Sequence, residues 1–144
     1  KSSIAAAAVE EAGHRVRDTL IELERSSAST KDLIKGHVRL LGKWMKQSGY
    51  KDGCPMTTVL LELAPEDRAV TSAGKRAYAD RNQVLRKKLM EDGIQDCDAD
   101  RLASTCTSAI QGALIEARVQ RSNKPLEIVA VELSKIIELY LRKS

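Results

Sequence analysis

Between Asp98 and Gln120 the apolar side chains do not keep to one side of the chain. Projected on a helix at roughly 100° per residue, Leu102, Cys106, Ala109, Ile110, Ala113, Leu114, Ile115 and Val119 spread round most of the circumference, and Gln111 and Arg118 mark a narrow polar strip. Ala103, Ser104, Thr105, Thr107, Ser108, Gly112 and Ala117 fill the remaining positions with small groups. A segment of this kind is stable only when it is covered on several sides, and its small residues let the covering elements come close. The feature therefore demands helical partners.

The rest of the chain supplies them. Over 3–24, Val9, Ala12, Val16, Leu20 and Leu23 recur at helical spacing opposite Glu10, Glu11, Arg15, Arg17, Asp18 and Glu22, which predicts an amphipathic first helix. "RSSAST" ends it, and Ser29 or Thr30 can cap a second helix with the stripe Leu33, His37, Leu40, Leu41, Trp44 and Met45, closed at Gly49. In "GYKDGCPMTTVLLELAPEDR" (49–68), Gly53 and Pro55 turn the chain into a short third helix with Met56, Val59, Leu60 and Leu63 on one face, and Pro65 stops it. Glu66 and Asp67 favour a new helix N-terminus, and the fourth helix runs to Asp92 with Gly93 in the C-terminal capping place. Its face carries Val70, Gly74, Ala77, Tyr78, Arg81, Val84, Leu85 and Leu89.

Asp98 is read as the cap of the fifth helix. Asn123 is read as the cap of a sixth, with Pro125 in its first turn. That helix has a wide face of Leu126, Val129, Ala130, Leu133, Ile136, Ile137, Tyr140 and Leu141, and Ile128, Val131 and Leu139 add apolar surface on another side. Two apolar sides on a terminal helix need more covering than 144 residues provide, so symmetric dimerisation through helices five and six is expected. The prediction is an all-α domain of six helices, one unit over 1–144. With 42% hydrophobic and 31% charged residues, no Phe and three Pro, the composition agrees.

Charge excludes some functions. The 24 Lys and Arg outnumber the 20 Asp and Glu only slightly and are interleaved with them; the densest basic run, Arg86, Lys87 and Lys88, has Glu91 and Asp92 close behind. This reads as a solvated helix face, not a nucleic-acid footprint. No apolar run reaches the length of a membrane span, and Cys54, Cys97 and Cys106 show no Cys-x-x-Cys spacing, so a reduced cytoplasm is the expected setting.

Catalytic chemistry finds little support. Glu11 and His14 have the Glu-x-x-His spacing of di-iron bundles, but only one copy occurs and it lies on the charged face. Glu62 points away from Val59 and Leu63 and is read as solvent-facing, with no second carboxylate to work with. No nucleophile–base arrangement or phosphate loop is present, and no cofactor is implied. Cys54, a first-turn cysteine, is read as a small packing residue in preference to a redox sensor. His37 shares the face of Leu33, Leu41 and Trp44, and is either a satisfied core histidine or a polar handle in a cavity; Tyr78 poses the same choice, and Arg81 is read as snorkelling to the surface.

The helix order, the turn 49–68 feeding a long helix and the block "AIQGALIEARVQRSNKPLEIVAVELSKII" together resemble the C-terminal region of TetR-type transcriptional regulators, most of all the branch with a Gly-Cys-Pro turn, here Gly53-Cys54-Pro55. The resemblance implies that residues 1–25 lead out of a three-helix DNA-binding domain lying before Lys1, so that the operator DNA is read outside this chain. It implies an effector cavity which, by position, His37, Leu41, Trp44, Met56, Leu60, Tyr78, Ile110 and Ala113 would line. The expected effector is a small apolar or aromatic molecule. It further implies a homodimer in which Leu102, Cys106, Ala109, Leu114, Ala117, Val129, Leu133, Ile136, Ile137 and Tyr140 build a four-helix interface. A helical-bundle enzyme or metal protein, and a dimerisation module whose cavity is filled by side chains, are the alternatives.

Overall fold

The computed structural model describes residues 2–143: α1 (Ser2–Arg25), α2 (Thr30–Gln47), α3 (Thr57–Leu63), α4 (Arg68–Glu91), α5 (Asp96–Gln120) and α6 (Lys124–Lys143), with no strand among them. The capping chemistry sets most boundaries. Ser29 Oγ accepts from the Asp32 amide at 3.2 Å to start α2, and Asp67 Oδ1 accepts from the Val70 amide at 3.0 Å to start α4. At the end of α4 Gly93 takes the left-handed φ of 108° that glycine adopts without strain. The N-terminus of α2 is also tied down from a distance, because the carboxylate of Asp92 accepts from the Thr30 amide at 2.8 Å.

Two boundaries differ from the sequence expectation. α5 begins at Asp96, two residues before the proposed cap Asp98, and no side chain caps it. Asn123 does not cap α6; its Nδ2 donates to the carbonyl of Gly42 at 3.1 Å, while Ser122 Oγ accepts from the Lys124 amide. An Asn between helices reads as a cap by residue type alone, and the competing carbonyl on α2 is 81 positions away. Gly42 makes that bridge possible, since a Cβ there would stand 2.9 Å from Asn123 Nδ2.

The five long helices follow one another round the core: α1 against α4, α4 against α5, α5 against α6, α6 against α2, and α2 back onto α1, with α3 laid on α4 and α1. Leu33, Ile34, Met45, Leu89, Leu126 and Ile137, all almost fully buried, belong to the larger apolar cluster, to which α1 contributes Leu20. A second cluster of Val9, Ala12, Met56, Val70, Ala73 and Ala77 seals α1 against α4 and the turn before α3. Cys54 packs against both. Solvent-screened ion pairs such as Arg17–Asp80 and Lys31–Glu138 decorate the helix seams and add little to stability. The basic run on α4 is partly neutralised, since Arg86 pairs with Asp96 and Asp100 of α5.

The α1–α4 crossing depends on Gly13. A Cβ at that position would stand 2.7 Å from Ala77 Cβ and 3.3 Å from Ala77 Cα, so the backbones must move apart to admit one. Alanine in a helix interior ordinarily gains about 1 kcal/mol over glycine, but overpacking costs about 1–3 kcal/mol. Gly13→Ala is therefore expected to be destabilising in urea unfolding. Combined with Ala77→Gly it should lose less than the sum of the two single losses, and strict additivity would refute the close approach.

Candidate functional site

A cavity of about 530 Å³ opens among α1, α2, α4, α5 and the turn before α3. Ala12, Val16 and Thr19 come from α1; His37, Leu41, Trp44 and Met45 from α2; Gly53, Cys54 and Pro55 from the turn; Arg81 from α4; Ile110, Gln111 and Leu114 from α5. Arg15, Asp18 and Asp52, all solvent-exposed, complete the lining. The volume lies within the range of small-molecule sites, about 300–1,000 Å³, and the apolar wall with a few converging polar groups is their usual make-up.

Of the eight positions expected to line this space, His37, Leu41, Trp44 and Ile110 do so. The other four lie outside its lining. Met56 is fully buried in the α1–α4 cluster. Leu60 is spent on covering Gly74, its Cδ2 lying 2.7 Å from where a Cβ would stand. Ala113 faces the larger apolar cluster. Tyr78 is half-buried beside the cavity, where its ring lies 5.7 Å from the Arg81 guanidinium carbon. Leu114, assigned to a dimer seam, belongs to the cavity wall.

Arg81 is the largest departure. It is only 6% exposed, its Nε has no hydrogen-bond partner, and none of the ion pairs among the described residues includes it. Burying a cation costs several kcal/mol, and a ring face returns about 0.5–2 kcal/mol, so the Tyr78 contact offsets only part of the cost. The helical period already placed this residue on the buried side: Ala77, Arg81, Leu85 and Leu89 stand four apart, and all four are buried.

His37 is equally enclosed, at 6% exposed, and its Nδ1 has no partner. Burial, reinforced by the positive charge of Arg81, lowers its pKa from the ordinary 6.5 to about 4, so the imidazole is neutral at physiological pH. Cys54 is held in a small network: Gln111 Nε2 donates to its Sγ at 3.6 Å, and Thr57 Oγ1 donates to Gln111 Oε1 at 3.5 Å. Burial works to raise the Cys54 pKa, but hydrogen bonds from Thr57, the Met56 backbone and Gln111, with the charge of Arg81, together lower it. Burial alone pushes the Cys106 thiol up to about 12, an inert packing residue. Glu62 is exposed, as expected. Among the described residues no three His, Cys, Asp or Glu side chains cluster as metal ligands.

Six of the ten residues expected to form the dimer seam are enclosed by the subunit itself, and the other four are half-buried. Leu102, Cys106, Leu114, Ala117, Leu133 and Ile137 are buried in the subunit's own core, and Ala109, Val129, Ile136 and Tyr140 pack against it. The large apolar side chains of α5 and α6 that solvent reaches are Ile115, Val119, Ile128, Val131 and Leu139, each more than half exposed. On α6 three of these, with Lys135, fall within one arc of the helix. On α5, Ser104, Ser108 and Gly112 continue the open side, and nothing lies within 4 Å of a Cβ built on Gly112.

The geometry defines a class: a helical domain built round a cavity of small-molecule size, with an apolar outer face on its last two helices. Residues 31–132 match the family model of the LmrA/YxaF-like transcriptional regulator C-terminal domain, and the chain belongs to this branch of the TetR regulators. Two uncharacterized HTH-type transcriptional regulators, from two strains of Mycobacterium tuberculosis, are each 32% identical over 106 residues, covering 68% of this chain and 55% of each relative. The chain spans about half the length of the curated relatives it matches. No helix among the described residues is long and apolar enough to cross a membrane.

Proposed function

We propose that this domain is the ligand-sensing and dimerisation part of a TetR-type repressor. A small, largely apolar or aromatic effector enters the cavity and releases operator DNA, which the regulator's helix-turn-helix domain holds in the cytoplasm. The observation that carries this reading is the cavity wall itself: Ala12, Val16 and Thr19 come from α1, and α1 is the element that would lead to the DNA reader. A ligand seated against α1, α2, α4 and α5 acts through its different affinity for two placements of α1 relative to the remaining helices. In a dimer that difference alters the spacing of two recognition helices, which must match one helical turn of DNA.

Trp44, the sole tryptophan, lines the cavity and reports occupancy directly. Screening the domain against small aromatic compounds is expected to find ligands that change Trp44 fluorescence. A ligand at about one hundred times its Kd adds about 2.7 kcal/mol of stability, which raises Tm by roughly 5–10 °C for a domain of this size. The same compounds should release DNA from the complete regulator. Tm and Trp44 emission that no compound moves would leave a dimerisation module without a sensor.

A further inference from the structure

We propose that the molecule taken up by this cavity carries a carboxylate head, received by the Arg81 guanidinium, with an apolar body lying along Leu41, Trp44 and Ile110. The proposal rests on the reading of the cavity as the effector site and adds to it the chemical class of the effector.

Arg81 lines the cavity, is buried to all but 6% of its surface, and among the described residues has no carboxylate within 4.0 Å. The two carboxylates that share the lining, Asp18 and Asp52, are solvent-exposed, and Asp18 is held by Arg17 at 2.9 Å. The other cation of the lining, Arg15, is also exposed and pairs with Glu11 at 2.7 Å. The enclosed part of the site is therefore positive without a protein counter-charge.

Its donors are suited to one kind of guest. The guanidinium carbon lies over the Tyr78 ring, 5.7 Å from its centroid, the N–H groups of the planar fork point outward in its own plane, and Nε–H is buried without a partner. A carboxylate accepts two such in-plane hydrogen bonds side by side, and a neutral carbonyl cannot match the charge. His37, which also lines the cavity, is neutral and so does not repel an anionic guest or compete for its charge. The rest of the wall is predominantly apolar. The complement is an aromatic or aliphatic acid.

Isothermal titration of the domain with 2-naphthoate and with its neutral methyl ester separates the possibilities. The carboxylate is expected to bind at least about tenfold tighter than the ester, as a charge-assisted pair replaces a neutral contact. In Arg81→Gln, shown by circular dichroism to be folded, that preference should vanish, with affinity for the ester within about twofold of wild type. If the variant does not fold, the wild-type pair of titrations still decides. An ester that binds as tightly as the acid overturns the carboxylate head and leaves the cavity reading intact. No binding of either probe up to millimolar concentration overturns the cavity reading, and the proposal with it.

Discussion

Acidification from pH 7 to 4 is expected to remove a large share of this domain's stability, and His37 is the reason. Its folded-state pKa of about 4 lies below the ordinary 6.5 of the unfolded chain, so the unfolded state binds the proton more readily. The sign follows directly: the contribution of neutral His37 is fully present above pH 6.5 and is lost as pH falls toward and through 4. One pKa unit corresponds to about 1.4 kcal/mol, so the gap removes about 3 kcal/mol by pH 4, with roughly half gone near pH 5.3. That is a large share of the about 5–15 kcal/mol of a typical domain. Urea unfolding followed by circular dichroism between pH 7 and 4 should show this slope. His37→Gln lowers stability at pH 7 by leaving the pocket imperfectly filled, yet its profile should be flatter over this window. Glu138, held below the usual carboxylate range by Lys31, titrates in both proteins and cancels in the comparison. Parallel profiles for wild type and variant would show that His37 stays hydrated.

The same enclosure explains which parts of the site were legible in the sequence. Helix number, order and most ends followed from apolar periodicity and capping residues, because those are properties of neighbours along the chain. His37, Leu41 and Trp44 followed because they lie on the clear apolar stripe of α2, whereas Ile110, on a helix apolar all round, followed from its position in the family resemblance. Met56 and Leu60 did not, because an inward-facing side chain on a short helix can line a cavity or plug it, and the choice depends on how closely α1 and α4 approach. Gly13 sets that approach, and Gly74 sets how closely Leu60 of α3 lies on α4. Both are visible in the sequence, but what faces them is not.

Arg81 and Asn123 were misread for a different reason. Each was assigned by the commonest behaviour of its residue type, surface for arginine and helix cap for asparagine. In each case the position contradicts the type: Arg81 stands on the Ala77, Leu85, Leu89 stripe, and Asn123 finds the Gly42 carbonyl. Where a charged residue sits within a buried stripe, periodicity is the better guide, and the conflict itself points to a ligand. Gln111 carries the same lesson, since this member of the polar strip on α5 faces Cys54 and the cavity, while Arg118 is exposed.

Replacing Ile128 by Lys is expected to turn a dimer into a monomer at micromolar concentration. In a helix apolar all round, periodicity cannot say which side meets the subunit's own core, and on α5 and α6 the core encloses six of the ten residues expected at the seam. What remains outward, Ile115 and Val119 on α5 with Ile128, Val131 and Leu139 on α6, is the apolar surface that a partner copy would cover. Burying one such side chain contributes about 1.5–3 kcal/mol, and two-fold symmetry counts each substitution twice. A loss of about 3 kcal/mol or more raises the dimer Kd by at least roughly a hundredfold. Sedimentation should detect this, with Leu61→Lys on α3 as a control: Leu61 is 76% exposed and lies away from that face, so its variant should stay dimeric. An unchanged Kd for Ile128→Lys, or equal weakening by Leu61→Lys, would move the interface elsewhere. Helix α5 joins the two proposed roles, because Leu114 lines the cavity next to the outward Ile115, and Ile110 and Gln111 line it about one to two and a half turns before Ile115 and Val119. A ligand that shifts α5 by a fraction of an ångström therefore acts on the partner surface as well as on α1, so in the dimer the two cavities are expected to be thermodynamically coupled.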